Sequence, residues 1–533
     1  MTLSTKPLQD GFWERFTIRE KDIEFLFNYL IEVEEPLSPQ ELLEALLVSV
    51  IEEEKIRIEK QQKSDGAIYY PRDHYEVGQT IVFPTLKWKS AKVASLRAGI
   101  NPDIPPFEVI EVRFEDGETV KLAASYENHQ LNDALNASLD DPTLDKNSVI
   151  SNFGPQLVLK LNSALEKNND LVRIAGKWFP LTLLVDVNIG YLNLAEALLD
   201  MENGGPLTTN AILEQIELPT DVNQKLTLFS LNLALQQDDR FDEVGPTGEI
   251  LWFLHRLEPA SVDKTPLHLK YSRDEVDYPL INDMLKQFDK HAIDELELQP
   301  FPQKFDKDEE IAVSLIYPHW RSGTLPINQA LISIFPTAYE SPRILFKFFD
   351  QDSKNTFNGW VVRESRYVYG LEEWYRALGL IPGNIIYLSR SQKPGEINIR
   401  IDKRRPGREW IRTVNIGPTG NVAFTMLKQM VTASYDERMA FYIPDLKGVD
   451  LVWEGNIKNR LPTEKAVLNS MMELAKLNPQ GQVHAQELYA ASNIIKRCAP
   501  GLVLSSLTQS RKAVYLGDLY FRMDESAIEA SRS

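Results

Sequence analysis

The sequence predicts a multidomain α+β protein in which winged-helix domains are combined with small antiparallel β-barrels. The chain has 533 residues, which is too long for one hydrophobic core and fits several domains of roughly 100 to 200 residues each. The spacing of apolar residues changes along the chain between the helical period and strict alternation. A pattern of three helices followed by a β-hairpin occurs twice, in the segments 190–255 and 456–525.

The composition is typical of a globular protein, with 43% hydrophobic and 25% charged residues. The N-terminal segment MTLSTKPLQDGFWERF has no basic stretch followed by an apolar run, and no window offers about 18 uninterrupted apolar residues. We therefore expect neither secretion nor membrane insertion. The single cysteine, Cys498, excludes an internal disulfide framework and a cysteine-rich zinc site. These features predict a cytoplasmic protein with no membrane partner.

Changes in pattern and composition divide the chain into consecutive segments. The predicted segments are an N-terminal helical, winged-helix-like segment (17–66), a small SH3-like β-barrel (67–132), a winged helix (150–257), an acidic connector (258–321), a basic barrel-like domain (322–415), a helical connector (416–455) and a C-terminal winged helix (456–525).

The first domain is predicted from two amphipathic helices. Thr17 to Glu35 places its apolar residues at helical spacing. Ser38 and Glu41 form a capping box, with Pro39 at the first position of the next helix. Two helices joined by a short Pro-Leu-Ser turn are how many winged-helix domains begin.

The segment 67–132 changes to the period of strands. We predict strands at 80–83, 91–96, 107–114 and 119–123, with a hairpin turn at 115–118. Their lengths favour a small antiparallel barrel. Such barrels mostly bind partners rather than catalyse reactions.

The middle winged helix is predicted from helices at 192–201, 210–216 and 222–236, followed by a hairpin around the turn Gly245-Pro246-Thr247-Gly248. This segment resembles the HARE-type helix-turn-helix family, which includes the N-terminal domain of the δ subunit of bacterial RNA polymerase and modules fused to chromatin and restriction proteins. The third helix offers only Lys225 as a basic side chain, and Asp238 and Asp239 follow it. We therefore expect it to contact protein, or only to stabilise the chain, rather than to read DNA.

The basic domain is predicted as a small barrel plugged by a helix. Strands are expected at 344–349, 360–369, 385–388 and 397–401, with a helix at 371–378 between them. The string GLEEWYRALGLIPGNIIYL is similar to a segment of the pseudobarrel DNA-binding domains of plant auxin-response and related factors, a fold shared by a restriction endonuclease effector domain. The resemblance implies strands and loops in the DNA major groove and basic side chains on phosphates. It does not fix which of Arg363, Arg366, Arg376 and Arg390 would read bases.

Charge is unevenly distributed along the chain. Residues 1–342 contain 31 basic and 57 acidic residues, whereas residues 343–533 contain 27 and 20. The segment 343–414 holds 14 basic residues against 8 acidic ones, concentrated at Arg400, Lys403, Arg404, Arg405, Arg408 and Arg412. Such a cluster on an anionic protein favours binding of a polyanion, with nucleic acid as the leading candidate. The alternative is a solvated basic loop that pairs with the acidic remainder of the same chain.

The last segments are predicted as a helix at 422–431 in the connector and a C-terminal winged helix with helices beginning at 463, at 485–491 and at 502–510. Residues 456–516 carry 8 basic and 3 acidic residues. Lys496, Arg497, Arg511 and Lys512 lie near the third helix and the wing, where phosphate contacts are expected. This domain is the better candidate of the two winged helices for DNA binding.

No catalytic, metal or cofactor site is predicted. The sequence has no P-loop and no glycine-rich dinucleotide fingerprint after a strand, and its seven histidines show no metal-binding spacing. Asp103 and Glu108 are placed as in a restriction-type nuclease core, but Ile110 stands where that chemistry needs lysine.

The predicted function is that of a non-enzymatic, transcription-associated protein that binds duplex DNA through its basic C-terminal half and a protein, such as RNA polymerase, through its acidic N-terminal half. The predicted DNA contacts are Arg363, Arg366, Arg400, Lys403, Arg404, Arg405, Arg408, Arg412, Lys496, Arg497, Arg511 and Lys512. Two alternatives remain open: a protein-interaction scaffold or restriction- or defence-associated factor without direct DNA readout, and an enzyme whose site one sequence does not reveal.

Overall fold

The computed structural model describes residues 11–64, 67–83, 86, 89–101, 104–114, 117–132, 142–218, 223–271, 274, 276–297, 310–418 and 420–524. It is a mixed α+β protein with several sheets. The chain forms two compact units, the first comprising Met1–Asp186 and Pro219–Ser230 and the second comprising Val187–Leu218 and Leu231–Ser533. Within the ranges described, none of the helices combines the length and the apolar character that a membrane span requires.

The first unit combines a group of helices, a sheet and a hairpin. Its helices are α1 (Phe12–Arg15), α2 (Glu20–Val33), α3 (Pro39–Ser64) and α4 (Lys146–Leu165). Its strands are β1 (Ala67–Ile68), β2 (Thr80–Phe83), β3 (Lys89–Ala98), β4 (Glu108–Phe114), β5 (Thr119–Ala124), β6 (Leu171–Ile174) and β7 (Lys177–Pro180).

Strands β1 to β5 form one sheet in sequence order, antiparallel except for the β1–β2 pair. Alternate residues such as Ile81, Val93 and Ile110 are buried in its core. The Tyr69 hydroxyl donates a hydrogen bond of 2.6 Å to the Ala123 carbonyl, which links the two edges of the sheet. The predicted strands of the segment 67–132 are therefore present, and a closed SH3-like barrel stays a prediction.

The helices of the first unit include α4, which follows the five-stranded sheet in the chain. The predicted capping box is confirmed, because the Ser38 N–H donates to Glu41 (2.7 Å) and the Glu41 N–H donates to the Ser38 hydroxyl (3.3 Å). Leu37, between α2 and α3, pairs with Trp178 of the β6–β7 hairpin. The structure thus groups Lys146–Pro180 with the first unit, whereas the sequence assigned most of this segment to the winged helix 150–257.

The second unit contains the remaining elements, and α7 (Gln224–Gln236) contains the boundary between the units. In chain order the elements of the second unit are α5 (Ile189–Met201), β8 (Leu207–Thr208), α6 (Thr209–Ile216), α7, β9 (Phe241–Glu243), β10 (Leu251–Leu254), α8 (Ala260–Asp263), α9 (Tyr278–Gln287), β11 (Ile311–Ser314), α10 (Tyr317–Ser322), β12 (Thr324–Pro326), β13 (Arg343–Asp350), β14 (Thr356–Val362), β15 (Tyr367–Tyr369), α11 (Glu372–Leu378), β16 (Ile385–Arg390), β17 (Glu396–Ile401), β18 (Lys403–Ile416), β19 (Val422–Ala433), β20 (Phe441–Tyr442), α12 (Leu446–Lys458), α13 (Thr463–Ala475), β21 (Gln482–His484), α14 (Ala485–Ile495), α15 (Pro500–Gln509), β22 (Ala513–Gly517) and β23 (Tyr520–Met523).

Two modules of the second unit share one topology. Helices α5, α6 and α7 accompany a sheet of order β8-β10-β9, and helices α13, α14 and α15 accompany a sheet of order β21-β23-β22. In both modules a short strand precedes the second helix and a hairpin follows the third. The predicted pattern of three helices and a hairpin is observed at both places. Membership of a winged-helix family stays a prediction.

The basic domain is built on a curled seven-stranded sheet, a half-barrel of order β11-β16-β17-β13-β14-β15-β12. Helix α11 packs Trp374 and Tyr375 into its core, as the sequence predicted. The predicted strand 360–369 is divided into β14 and β15, which pair with each other across a turn in which Arg366 has a φ of 51°.

The predicted helix at 422–431 is wrong. Residues Val422–Ala433 form strand β19, which pairs with β18 along its length. The Gly417 N–H donates to the Asn421 carbonyl (2.8 Å) and closes the turn between the two strands. Met, Leu, Lys and Gln have good helix propensity, but the ladder with β18 and the burial of Phe424 and Val431 override this weak local preference.

Candidate nucleic-acid interface

Strands β18 and β19 form a long antiparallel ribbon, which we call the basic ribbon (residues 403–433). Pairing extends from Lys403 opposite Ala433 to Ile416 opposite Val422, with an irregularity between Lys403 and Gly407. The segment contains six basic residues and one acidic residue. The ribbon therefore concentrates positive charge on a chain whose formal net charge is −19.

The two faces of the basic ribbon have different surroundings. Residues directly opposite each other in an antiparallel pair lie on the same face. One face buries Ile411 and Val431 against Ile381 and Ala440. The other, which we call the outer face, carries three cross-strand pairs in register. These pairs are Arg408 with Met430, Trp410 with Lys428, and Arg412 with Met426.

The ends of the ribbon are anchored while the middle of its outer face is open. Val414 and Phe424 are buried in the core that also contains Trp453, and Ala433 is buried in the core of the half-barrel. Between these ends the Trp410 side chain is 60% exposed and Met430 is 54% exposed. Large apolar side chains on an open, cationic strand face are a feature of surfaces that bind another molecule.

Four of the six cations of the basic ribbon lack a carboxylate partner among the residues that the structure describes. Within the described residues, no carboxylate oxygen lies within 4.0 Å of the side chains of Arg404, Arg405, Arg408 or Lys428. The Lys428 ammonium lies 5.4 Å from the centre of the Trp410 ring. The Arg404 guanidinium lies 5.2 Å from the centre of the Tyr435 ring. Contact with a ring leaves the charge of these groups available to an anion.

Other members of the predicted central cluster are neutralised by the chain itself. Arg400 pairs with Glu310 and Asp402, and these hydrogen bonds raise the pKa of its guanidinium above the usual value. Arg412 pairs with Glu487 and is 17% exposed. Lys403 lies 3.5 Å from Asp352 but remains half exposed. Internal pairing, the alternative open from the sequence, therefore applies to Arg400 and Arg412.

Arg363 and Arg366 belong to another part of the half-barrel. Both lie in the turn between β14 and β15, and β13 separates β14 from β17, the strand that leads into the ribbon. The Arg363 guanidinium donates to the Ser341 carbonyl (2.7 Å), and the Arg366 carbonyl accepts from the Ile327 N–H (2.8 Å). Strand order therefore does not place these two arginines on the basic ribbon.

The prediction that Arg497 contacts DNA is wrong. Its side chain is 2% exposed and its guanidinium binds Asp294 (2.7 Å) and Glu295 (2.9 Å), so it is not available to the phosphates of a DNA duplex. Lys496 donates to the Leu461 carbonyl (2.8 Å) and to the Thr463 hydroxyl (2.9 Å). Arg511 and Lys512 are exposed just before β22.

The third helices of the two modules do not present basic residues for groove contact. Helix α15 buries Leu502, Val503 and Leu504 in a core shared with Ile281 and Leu285 of α9, so α9 covers the helix that would enter a groove. In the middle module the one basic side chain of α7, Lys225, pairs with Glu35 at 2.7 Å. The charge of Lys225 thus has a partner within the chain, and the expectation that α7 does not read DNA stays a prediction.

Three residues of the outer face were missed by the sequence analysis: Met426, Lys428 and Met430. They fall in the segment assigned to a helical connector. The turn Gly417 to Asn421 between two runs of alternating residues would have indicated a hairpin. With that hairpin assigned, cross-strand register would have placed Lys428 opposite Trp410.

Comparison of the chain with protein-family models, with curated proteins and with solved structures finds no match.

Proposed function

We propose that this protein binds duplex DNA through the outer face of the basic ribbon, without catalysing a reaction on it. The observation that carries the proposal is the group of four exposed cations, Arg404, Arg405, Arg408 and Lys428, which have no carboxylate partner within the described part of the chain. One of them, Lys428, lies beside the exposed ring of Trp410.

The physical basis is the fit between guanidinium groups and phosphates. Arginine presents planar pairs of N–H donors that bind two phosphate oxygens at once, and lysine adds a point charge. Each phosphate that is neutralised releases condensed counterions from the duplex, which makes the binding depend on salt. Two-stranded β-ribbons are one of the elements that fit the major groove.

The acidic remainder of the chain restricts DNA to this surface. With −19 overall and +5 in residues 403–433, the other residues carry −24. A duplex is repelled by a surface of its own sign, so the basic ribbon orients the complex as well as binding it. The finer assignment, to a transcription-associated factor that also contacts RNA polymerase, is supported by the resemblance of residues 190–255 to the HARE-type family.

A second candidate function is docking of an acidic protein partner. Exposed methionine and leucine side chains at Met426, Leu427 and Met430 favour it, because methionine-rich surfaces adapt to protein partners. A surface that docks only a protein would not bind a duplex oligonucleotide. Titration of the protein with such a duplex therefore separates the two functions.

The test is the affinity for a duplex oligonucleotide measured over roughly 50 to 200 mM salt. In the triple variant Arg404→Glu, Arg405→Glu, Arg408→Glu, we expect the slope of log K against log salt to become shallower by about 2.7, because three phosphate contacts are lost. Affinity near 100 mM salt should fall by about two orders of magnitude.

A matched control carries the same change of charge elsewhere. Lys447→Glu, Lys458→Glu, Lys465→Glu reverses three exposed lysines outside the ribbon and should change the slope by less than one contact, about 0.9. Equal losses in both triple variants would show that total charge rather than the ribbon controls binding. Wild-type protein that binds no duplex at low salt would exclude the proposal.

A further inference from the structure

A cavity of about 700 Å³ lies within the second unit. Its described walls come from α12 and the residues that follow it, from the end of α14 and the two residues after it, and from Lys270, Tyr271 and Asp274. None of the residues that line this cavity belongs to the basic ribbon. Its volume falls in the range of sites that hold small organic molecules.

One part of the cavity wall is apolar. Trp453, Ile457, Leu461 and Ile495 line it, and Trp453 and Ile495 belong to the buried set of the second unit, whereas Ile457 is 47% exposed. A ring system placed against the accessible side chains, Ile457 and Leu461, would remove apolar surface from water on both partners.

Another part of the wall is cationic. Lys270, Arg460 and Lys496 line the cavity together with one exposed carboxylate, Asp274. Lys496 lies 4.0 Å from Asp274, while Lys270 and Arg460 have no carboxylate within 4.0 Å among the residues that the structure describes. The accessible wall therefore has an excess of positive charge, which favours an anion.

Two buried side chains of the wall keep unpaired donors. Trp453 is 1% exposed and Arg497 is 2% exposed, yet within the described residues the Trp453 Nε1–H and the Arg497 Nε–H have no hydrogen-bond partner. Buried polar groups in native proteins are nearly always paired, so two orphan donors on the wall of one cavity indicate a missing acceptor.

Tyr271 adds a neutral donor to the same wall. Burial raises the pKa of Tyr271 to about 12, so that its hydroxyl keeps its proton at neutral pH. The cavity thus offers an apolar surface, several N–H and O–H donors and three cations.

We propose that this cavity binds a small organic anion, a ring-bearing molecule that carries a phosphate or a carboxylate. The rings would lie against Ile457 and Leu461, and the anionic group would bind Arg460 and Lys270. Such a ligand matches both the apolar and the cationic part of the wall, whereas a purely apolar ligand would leave the cations without a partner and a bare inorganic anion would leave the apolar surface in water.

The test uses two fluorescent probes that differ in one group. The first is 1-anilinonaphthalene-8-sulfonate, and the second is N-phenyl-1-naphthylamine, which has the same rings without the sulfonate. With the full chain we expect saturable 1:1 binding of the sulfonate probe, at least tenfold tighter than binding of the neutral probe. Naphthyl phosphate and naphthoate are then used as competitors, and the stronger of the two identifies the anionic group.

Variants locate the binding site. Arg460→Glu and Lys270→Glu change exposed side chains, so the fold should be retained, and each should weaken binding of the sulfonate probe at least tenfold. Lys458→Glu, an exposed lysine on α12 outside the cavity wall, should alter it less than twofold. The ribbon variant Arg404→Glu, Arg405→Glu, Arg408→Glu should bind the probe as wild type does, which separates this site from the DNA surface.

Three results would overturn the proposal: no saturable binding of the sulfonate probe, equal affinity for both probes, or wild-type affinity in folded Arg460→Glu and Lys270→Glu. Failure of both competitors would also overturn it, because the site would then bind neither class of anion. Ile457→Trp provides an independent check, since the added ring occupies the cavity and should abolish binding without removing a charge.

Discussion

The basic ribbon and the C-terminal module contain the same kind of side chain in opposite environments. In the ribbon, Arg404, Arg405 and Arg408 are exposed and without a carboxylate partner in the described residues. In the C-terminal module, Arg497 is 2% exposed and binds two carboxylates. Both groups read as basic clusters in the sequence. Only the first is available to a partner in solution.

The difference is determined by residues far away in the chain. Asp294 is 203 positions from Arg497 and Glu295 is 202 positions away, and neither separation carries a pattern that sequence spacing could reveal. Among the residues that the structure describes, Arg404, Arg405 and Arg408 have no such distant carboxylate beside them. A run of basic residues in the sequence therefore indicates only a high local charge density. Whether those residues pair with carboxylates of the same chain depends on the fold.

The buried cluster has the features of a structural anchor. Asp294 also accepts a hydrogen bond from the Tyr489 hydroxyl, and Glu295 also binds His319 at 2.9 Å. Burial alone would raise the pKa of Glu295, but Arg497 and His319 hold that pKa below its usual range. The network connects the segment before β11 with α14 of the C-terminal module. Breaking one member leaves charges buried without a partner, which is costly.

The largest effect is expected from Arg497→Met. Removing the guanidinium breaks the ion pairs of Arg497 with the buried Asp294 and Glu295, so we expect the second unit to lose about 3 to 5 kcal/mol of unfolding free energy. Urea denaturation followed by tryptophan fluorescence measures the loss. The control Arg511→Met alters an exposed arginine of the same module and should change stability by less than about 0.5 kcal/mol.

The opposite result would change the comparison itself. If Arg497→Met retained full stability but lost affinity for DNA, the cluster would have to open in the bound state, and Arg497 would return to the set of DNA contacts.

Local elements of the fold could be predicted from the sequence because they depend on neighbouring residues. The capping box of Ser38 and Glu41, the helix with Trp374 and most strands of the half-barrel lie where their patterns indicated. In these cases propensity, turn chemistry and apolar spacing agree. The order of helices and hairpin strands in the two modules could be predicted for the same reason.

The failures have one physical cause, which is pairing between distant segments. Strand β19 has residues that favour a helix and is held extended by β18. The β6–β7 hairpin joins the first unit because Trp178 pairs with Leu37. Arg497 is buried because two acidic residues of a segment predicted as a connector reach it. Of the predicted site, the exposed arginines 404, 405 and 408 were identified by charge, and their neighbour Lys428 needed the correct register.

A smaller effect is expected at the centre of the outer face. Trp410→Ala removes an exposed ring beside Lys428. If DNA lies on this face, loss of the ring contact should weaken binding by about 1 to 2 kcal/mol, or roughly tenfold. Stability should stay within about 0.5 kcal/mol of wild type. The control Tyr339→Ala removes a ring that is 54% exposed outside the ribbon and should leave binding unchanged. Equal binding by Trp410→Ala and wild type would restrict the interface to the arginines.

The smallest effect is a dependence of stability on pH. It should come from the buried His484 of the C-terminal module and not from the arginines of the ribbon. Burial and the nearby Arg438 lower the pKa of His484 to about 4. Between that value and the ordinary histidine value near 6.5, the unfolded chain binds a proton that the folded chain does not bind. The contribution of neutral His484 to the stability is therefore fully present above about pH 6.5 and is lost as the pH falls toward 4. Between pH 7 and pH 5.5 the loss is about 1 kcal/mol of unfolding free energy.

His484→Asn isolates this contribution. The His484 Nδ1 accepts from the Gln486 N–H (3.2 Å) at the start of α14, and asparagine can accept the same bond at a helix N-terminus without titrating. Urea midpoints of the second unit should therefore fall less for the variant than for wild type between pH 7 and pH 5.5. The ribbon arginines keep their charge throughout this range. If the wild type and His484→Asn lost stability in parallel between pH 7 and pH 5.5, protonation of His484 would not be the cause of the acid sensitivity.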